Sequence, residues 1–229
     1  MLLAGNGARV VVHGRNQEAV AGVTQGIHAQ GGEAMGVLGD LTDAGAVERV
    51  REQVVQAWGT PDIVVANAGG SPTRPSLIED ISVQDWHAAM DANLTATFLT
   101  VKAFLPGMKE RGSGAIVTMS SAAARRPDGR APVAYTAAKA GIEVFTQQLA
   151  TQVGPFGIRA NCVAPETILT ERNEQAIPAE MKVAMAADHP LGRLGTTQDV
   201  AEAVLFLVSN RSTWITGVVL DVAGGSVLS

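Results

Sequence analysis

Disulfide chemistry is the first thing this sequence excludes. Its 229 residues hold a single cysteine, Cys162, so no bridge can form within the chain. That usage fits a reducing cytoplasm, the expected location. Long hydrophobic runs are missing too, and none approaches the ~20 residues needed to span a bilayer. The opening Met1-Leu2-Leu3-Ala4-Gly5 has neither the basic flank nor the apolar length of a signal peptide. Positive charge is not in excess. Seventeen Lys and Arg against 22 Asp and Glu give a net charge of -5, which leaves no electrostatic case for nucleic acid or an anionic membrane as partner. Repeats, low-complexity tracts and an interdomain linker are also lacking.

What is present is apolar material in a regular rhythm. Hydrophobic residues make up 46% and charged residues 17%, enough for a large core in one α/β domain. Short apolar runs alternate with amphipathic stretches. Strands are expected over 9–13, 34–38, 62–66, 115–119, 159–163 and 218–222. Helices are expected over 17–30, 43–58 with Asp43 as N-cap, 83–109, 133–153 and 197–208, with an irregular segment up to Gly195. Strands separated by helices imply right-handed crossovers and a parallel sheet covered on both faces.

Chemistry concentrates at a few positions. Tyr135 and Lys139 are four residues apart on an expected helix and so share a face. An ammonium beside a phenol favours the phenolate, whose pKa otherwise lies near ~10. Such a tyrosine can give or take a proton near neutral pH. Ser120 and Ser121 stand at the end of the strand 115–119, where open α/β sheets place their sites. A serine hydroxyl there can hydrogen-bond a substrate oxygen. Asn93 lies inside the long expected helix. Singly, each has a plain structural reading: a chance spacing, a cap, a core-satisfied amide.

Taken together, Asn67-Ala68-Gly69, Asn93, Ser121, Tyr135, Lys139 and Pro165 resemble, in order and spacing, the short-chain dehydrogenase/reductase family. The tail agrees: Pro190-Leu191-Gly192-Arg193-Leu194-Gly195, Asp199-Val200-Ala201, Ile215-Thr216-Gly217 and Gly224-Gly225. The resemblance covers essentially the whole chain. It implies a Rossmann-like doubly wound parallel sheet in a single domain, and hydride transfer between a nicotinamide cofactor and a small carbonyl or alcohol. Tyr135 would be the acid/base. Lys139 would lower its pKa and hold the nicotinamide ribose, Ser121 would polarise the substrate oxygen, and Asn93 would support a water in the proton relay. Ser121 matches better than Ser120, although thirteen residues separate it from Tyr135, one more than the family spacing. Asp40-Leu41 would meet the adenine, and Ile168 and Thr170 the nicotinamide amide. Residues 166–196 would form a substrate lid, with Ile168, Leu169, Ile177, Met181, Met185 and Leu191 as its apolar lining, a helix core explaining these residues equally well. Pairing into a homodimer or homotetramer would use the long helix around Asn93, the Tyr135 helix, and the last helix and strand, with Phe145, Leu149, Phe206 and Leu207 as apolar surface, burial within the monomer being an equally good home for these four.

Cofactor choice turns on His13-Gly14-Arg15-Asn16. No acid stands at that strand end to take a ribose 2′-hydroxyl, and Arg15 can meet a 2′-phosphate, so NADP(H) is expected over NAD(H). Arg74, Arg125 and Arg126 could meet a substrate anion, solvent-facing arginines being the plainer reading.

The sequence departs from the family in three places. A strand followed by a TGxxxGxG turn, whose N–H groups hold the pyrophosphate, is not found. Gly5-Asn6-Gly7 precedes a strand instead of following one, and Met1–Ala4 resembles the end of the first helix. The sheet, ordered 3-2-1-4-5-6-7 in the family, is therefore expected to lack its first, central strand. Either a gap or direct pairing of 9–13 with 62–66 follows, with weak cofactor binding and poor solubility. Glu166 follows Pro165 where the family has Gly, adding a charge beside the cofactor. Ala223 stands where an Asp often precedes the Gly-Gly pair. A catalytically silent structural partner, or an inactive gene fragment, is the competing reading. Hydrolysis by Ser121 with Lys139 lacks a G-x-S-x-G elbow.

Overall fold

A computed structural model describes residues 1–127 and 129–228. In chain order the elements are α1 (Leu2–Gly5), β1 (Val10–Gly14), α2 (Gln17–Ala29), β2 (Ala34–Leu38), α3 (Ala44–Trp58), β3 (Ile63–Ala66), α4 (Val83–Met90), α5 (Ala96–Arg111), β4 (Gly114–Met119), α6 (Val133–Val153), β5 (Ile158–Pro165), β6 (Ile168–Leu169), α7 (Glu171–Ala176), α8 (Ala179–Ala187), β7 (Gly195–Thr196), α9 (Thr197–Val208) and β8 (Val219–Val222). The architecture is α/β, with parallel ladders throughout.

Local chemistry sets the helix starts. Asn16 and Asp43 accept the N–H of Ala19 and Ala46 at the heads of α2 and α3. Thr196 and Asp199 form a reciprocal capping box at α9. The run β3-β4-β5-β8 makes one four-stranded sheet, whose middle strands are apolar and nearly solvent-free. On one face α5 and α6 cover it through Val101, Met108, Leu149 and Val153. On the other, α9 covers it through Val204, Leu207 and Val208. Of the two homes the sequence leaves open for Leu149 and Leu207, the structure shows the core of the monomer.

β1 and β2 form a separate two-stranded sheet, which α3 covers through Val50 and Val54. Among the described residues no ladder joins β1 to β3, so of the two expected arrangements the molecule shows the gap. Phe104 of α5 bridges the two halves, touching the cores of both.

Two expectations need correction. The helix expected over 83–109 is broken: one π-helical turn, Asp91–Thr95, separates α4 from α5 and carries Asn93 at its centre. Such a bulge has no sequence period of its own and tends to mark functional positions. The segment before Gly195, expected to be irregular, contains α7, α8 and β6, with β6 paired to β7.

Candidate active site

Residues named from the sequence gather at the carboxyl ends of the parallel strands. Arg15 follows β1, Asp40-Leu41 follow β2, and Asn67-Ala68-Gly69 follow β3. Ser121 follows β4 by one residue, and Pro165 closes β5. This is the edge where open α/β sheets bind ligands.

Helix α6 presents Tyr135 and Lys139 on one face. Ser121 lies near enough to the Tyr135 phenol to lower its pKa, and its Oγ accepts the Ala123 N–H at 3.2 Å. Lys139 is buried; Nζ donates to the Met119 carbonyl at 2.9 Å and lies 5.6 Å from the Tyr135 ring centroid. Burial pushes the ammonium pKa down to about 8. The phenol behaves differently from expectation. Burial raises its pKa most, the Ser121 hydrogen bond lowers it, and the Glu166 charge raises it. Lys139, turned to the end of β4, is not the dominant influence on the phenol in this geometry.

Ser120 and Ser121 divide their work. The Ser120 hydroxyl is buried and committed to the Lys139 carbonyl at 3.0 Å and to Glu143 Oε1 at 2.8 Å. Ser121 is the one beside the phenol.

Asn93 is fully buried. Its Nδ2 donates to the carbonyls of Gly70 and Ala89 at 2.9 and 2.8 Å, and its Oδ1 accepts the Gly70 N–H at 3.0 Å. Both donors are therefore spent, one on Gly70 in the segment after β3 and the other on Ala89 of α4. Gly69 must be glycine here: its φ is +147°, and an added Cβ would come within 2.6 Å of Asn93 Oδ1.

Just after β1, Arg15 is exposed, and its charge, with that of His13, lowers the Asp40 pKa after the larger effect of hydrogen bonds from Thr42. Thr170 accepts the Asn173 N–H as N-cap of α7, while Ile168 sits in β6. Gly5-Asn6-Gly7 ends α1 ahead of β1, as its position in the sequence implied.

Several residues proved to have structural work that sequence reasoning did not see. Arg125 lies between Asp221 at 3.3 Å and Glu143 at 3.8 Å, and Arg126 donates to the Ser226 carbonyl at 3.1 Å, so these arginines tie the Ser121 loop to α6, β8 and the tail. Arg74 is exposed. The tail motifs are structural too. Arg193 grips both oxygens of Asp199, Thr216 and Gly217 bond Ala160 of β5, and a Cβ on Gly225 would strike the Pro190 ring at 2.9 Å. Among the described residues no group of three or more His, Cys, Asp or Glu could hold a metal, and no helix is long and apolar enough to cross a membrane.

Known proteins share this arrangement. A family model described as enoyl-(acyl carrier protein) reductase matches residues 1–226. A short-chain type dehydrogenase/reductase of Sinorhizobium fredii is 36% identical over 99% of this chain and 90% of its own length. Cyclohexanol dehydrogenase of a Rhodococcus species is 40% identical over 90% of this chain and 78% of its own. Among solved structures, a gluconate 5-dehydrogenase from Burkholderia cenocepacia in complex with NADP and tartrate superposes with a TM-score of 0.90 at 28% identity, covering 98% of this chain and 87% of that one. A 3-oxoacyl-[acyl-carrier protein] reductase from Brucella melitensis with bound NAD gives 0.89 at 32% identity, covering 99% and 84%. With the tyrosine, lysine and serine at one strand edge and these likenesses over nearly its whole length, the chain belongs to the short-chain dehydrogenase/reductase family and is an oxidoreductase dependent on a nicotinamide cofactor.

Proposed function

We propose that the protein moves a hydride between NADP(H) and the carbonyl or carbinol carbon of a small ketone or secondary alcohol, with Tyr135 as acid/base. The observation that carries this reading is the placement of Ser121 next to a buried phenol whose helix also brings Lys139 to the same strand end, with Lys139 Nζ 5.6 Å from the phenol ring. The donor set at the strand ends fits the two ends of a nicotinamide dinucleotide: a phenol and an ammonium at one, an exposed guanidinium at the other. Lys139 with Asn67, Ala68, Gly69, Pro165, Ile168 and Thr170 would hold the nicotinamide ribose and amide. Asp40 and Leu41 would meet the adenine, and Arg15 the 2′-phosphate that distinguishes NADP from NAD. Among the described residues no glycine-rich strand-to-helix turn offers itself to the pyrophosphate.

When bound, the cofactor supplies or accepts the hydride. In the reduction direction Tyr135 gives its proton to the carbonyl oxygen, which Ser121 hydrogen-bonds and so polarises. Lys139 holds positive charge beneath the phenolate that remains. Asn93 acts by fixing the backbone of 67–70. Segment 166–196 closes over the substrate, the assembly is a homodimer or homotetramer, and the protein works in the cytoplasm. Relatives named for cyclohexanol and gluconate oxidation support an alcohol of modest size.

Tyr135→Phe is the test. Turnover should fall by about three decades or more, since only the transferable proton is lost, while NADPH affinity followed by fluorescence stays near that of the parent. Activity within about tenfold of the parent would remove Tyr135 from the mechanism.

A further inference from the structure

The Ser120 hydroxyl, one residue past β4, carries a single proton and faces two acceptors. The Lys139 carbonyl lies 3.0 Å away and Glu143 Oε1 lies 2.8 Å away, both on α6. One proton cannot serve both at full strength. A charged Glu143 competes for it. A protonated Glu143 donates to Ser120 Oγ instead and leaves the serine's own proton to the Lys139 carbonyl. The surroundings bring both states within reach. The Glu143 side chain is 14% exposed, and one cation is shared between two acids. Arg125 stands 3.3 Å from Asp221 of β8 and 3.8 Å from Glu143, so Asp221 holds it more closely. Burial, above all, raises the Glu143 pKa from its ordinary value. The Ser120 hydrogen bond and Arg125 lower it, and the Asp221 charge raises it. On β5, the Cys162 thiol feels the Glu143 charge as well.

These contacts lie at the reacting edge. Ser120 adjoins Ser121, and Lys139 Nζ donates to the Met119 carbonyl at 2.9 Å. The end of β4 is thus linked to α6 twice, by the Lys139 side chain and by the Ser120 hydroxyl.

We propose that Glu143 is a proton-gated positioning residue for the Ser121–Tyr135–Lys139 site. Protonated, it donates to Ser120, and the serine holds the Lys139 carbonyl. Ionised, it gives its proton to solvent and draws the serine's proton to itself, because a charged acceptor outcompetes a neutral one. The link from Ser120 to Lys139 is then lost. The gate rests on the acid/base reading of Tyr135 and adds the regulation of that site. Glu143 acts through Ser120 and not through its own field, since the charges acting on Tyr135 and Lys139 are those of Glu166 and Cys162.

The experiment follows kcat against pH for a ketone that the parent reduces, in the parent, Glu143→Gln and Ser120→Ala. Ionisations of Tyr135 and Lys139 are common to all three, so ratios to the parent isolate Glu143. An amide with Nε2 toward Ser120 keeps the link at every pH, and alanine lacks it at every pH. Both ratios should therefore rise by about three- to tenfold as pH passes upward through the Glu143 titration, the worth of one ordinary hydrogen bond. Glu143→Gln should stay above Ser120→Ala by that factor throughout. Ratios that do not change with pH, or two variants at one level, overturn the proposal.

A second readout needs no turnover. The lysines of the chain are Lys102, Lys109, Lys139 and Lys182, so lysine labelled with carbon-13 at the carbonyl gives a simple spectrum, and Lys139→Arg identifies the Lys139 signal. In the parent that signal should shift with a midpoint above the ordinary glutamate value of 4.5. The step should vanish in Glu143→Gln and in Ser120→Ala, while the step from the Lys139 ammonium, at about 8, remains. A signal that moves only with the ammonium in the parent, or that keeps both steps in Glu143→Gln, overturns the proposal. Tyr135→Phe leaves this titration in place. Should Tyr135→Phe also keep its turnover, the acid/base reading fails whatever Glu143 does, so the two failures are separable.

Discussion

The two main sheets share one parallel hydrogen-bond pattern and differ in depth. Every residue of β1 is partly exposed, whereas in β4 all but the first residue are buried. β4 has a partner strand on both sides and helices over both faces. β1 has a ladder with β2 alone, and its other edge faces a gap before β3. Unpaired strand edges expose N–H and C=O groups that the interior cannot satisfy, so a half-sheet of this kind opens more easily than a closed one. The division is functional as well. Tyr135, Lys139, Ser121 and Glu166 stand on the deep half, where the proposed proton transfer needs geometry to be held tightly. Arg15 and Asp40 stand on the shallow half, which in the proposed reading binds the far end of the cofactor and selects between its two forms.

Truncating one residue in each half is the most forceful way to break this comparison. Ile116→Ala in the middle of β4 should cost roughly 2–5 kcal/mol, because the side chain is 1% exposed and its neighbours cannot close the cavity. Val11→Ala in β1 should cost about 1 kcal/mol, with less side chain removed from a partly exposed site. Denaturant melts of the two variants check this, and equal losses would mean that the halves fold as one unit with β1 as deeply committed as β4. Amide exchange should show the same order, with β1–β2 exchanging at lower opening free energy than β4–β5.

Arg15→Ala sharpens the functional side. A charge-assisted contact to phosphate contributes roughly 1.5–3 kcal/mol, so NADPH affinity should fall by about one to two decades with NADH affinity nearly unchanged. Fluorescence titration with both cofactors reads it; equal losses would make Arg15 a support of the turn. A smaller effect is expected at α9, which covers the deep half. Hydrogen bonds from Arg193, and then from Thr196, hold the Asp199 carboxyl well below the usual carboxylate range. Its folded pKa is depressed, so the stabilisation is present above the unfolded pKa and is lost as pH falls through the folded value. Asp199→Asn should cost about 1 kcal/mol near neutral pH and should narrow its difference from the parent as the medium is acidified. A difference that grows in acid would contradict that sign.

Much of the deep half was legible because its periodicities are long and clean. The bounds of α6, from Val133 to Val153, and of α9, from Thr197 to Val208, follow from helical spacing; in the shallow half Asp43 announces α3 as an N-cap. Tyr135 and Lys139 could be placed together from a four-residue interval alone. The π turn at Asn93 could not, since one extra residue per turn leaves no mark in a polar and small-residue stretch. The ion cluster of Arg125 with Glu143 and Asp221 joins residues from three distant stretches, and no local pattern brings them together. Glu166 was visible as a departure from its family. Its neighbourhood with His189 was not, because that depends on how the 189–195 segment folds back over β8.

Deuterium transfer tests the central claim most directly. The protein, confirmed as folded, is incubated with NADPH carrying deuterium at C4 of the nicotinamide and a panel of small cyclic and acyclic ketones, and the alcohol products are read by mass spectrometry. The account predicts one deuterium at the carbinol carbon of at least one product, and none above background with Tyr135→Phe. A folded protein that binds NADPH yet delivers no deuterium to any ketone of the panel, or one that delivers it equally well without the Tyr135 hydroxyl, would contradict it.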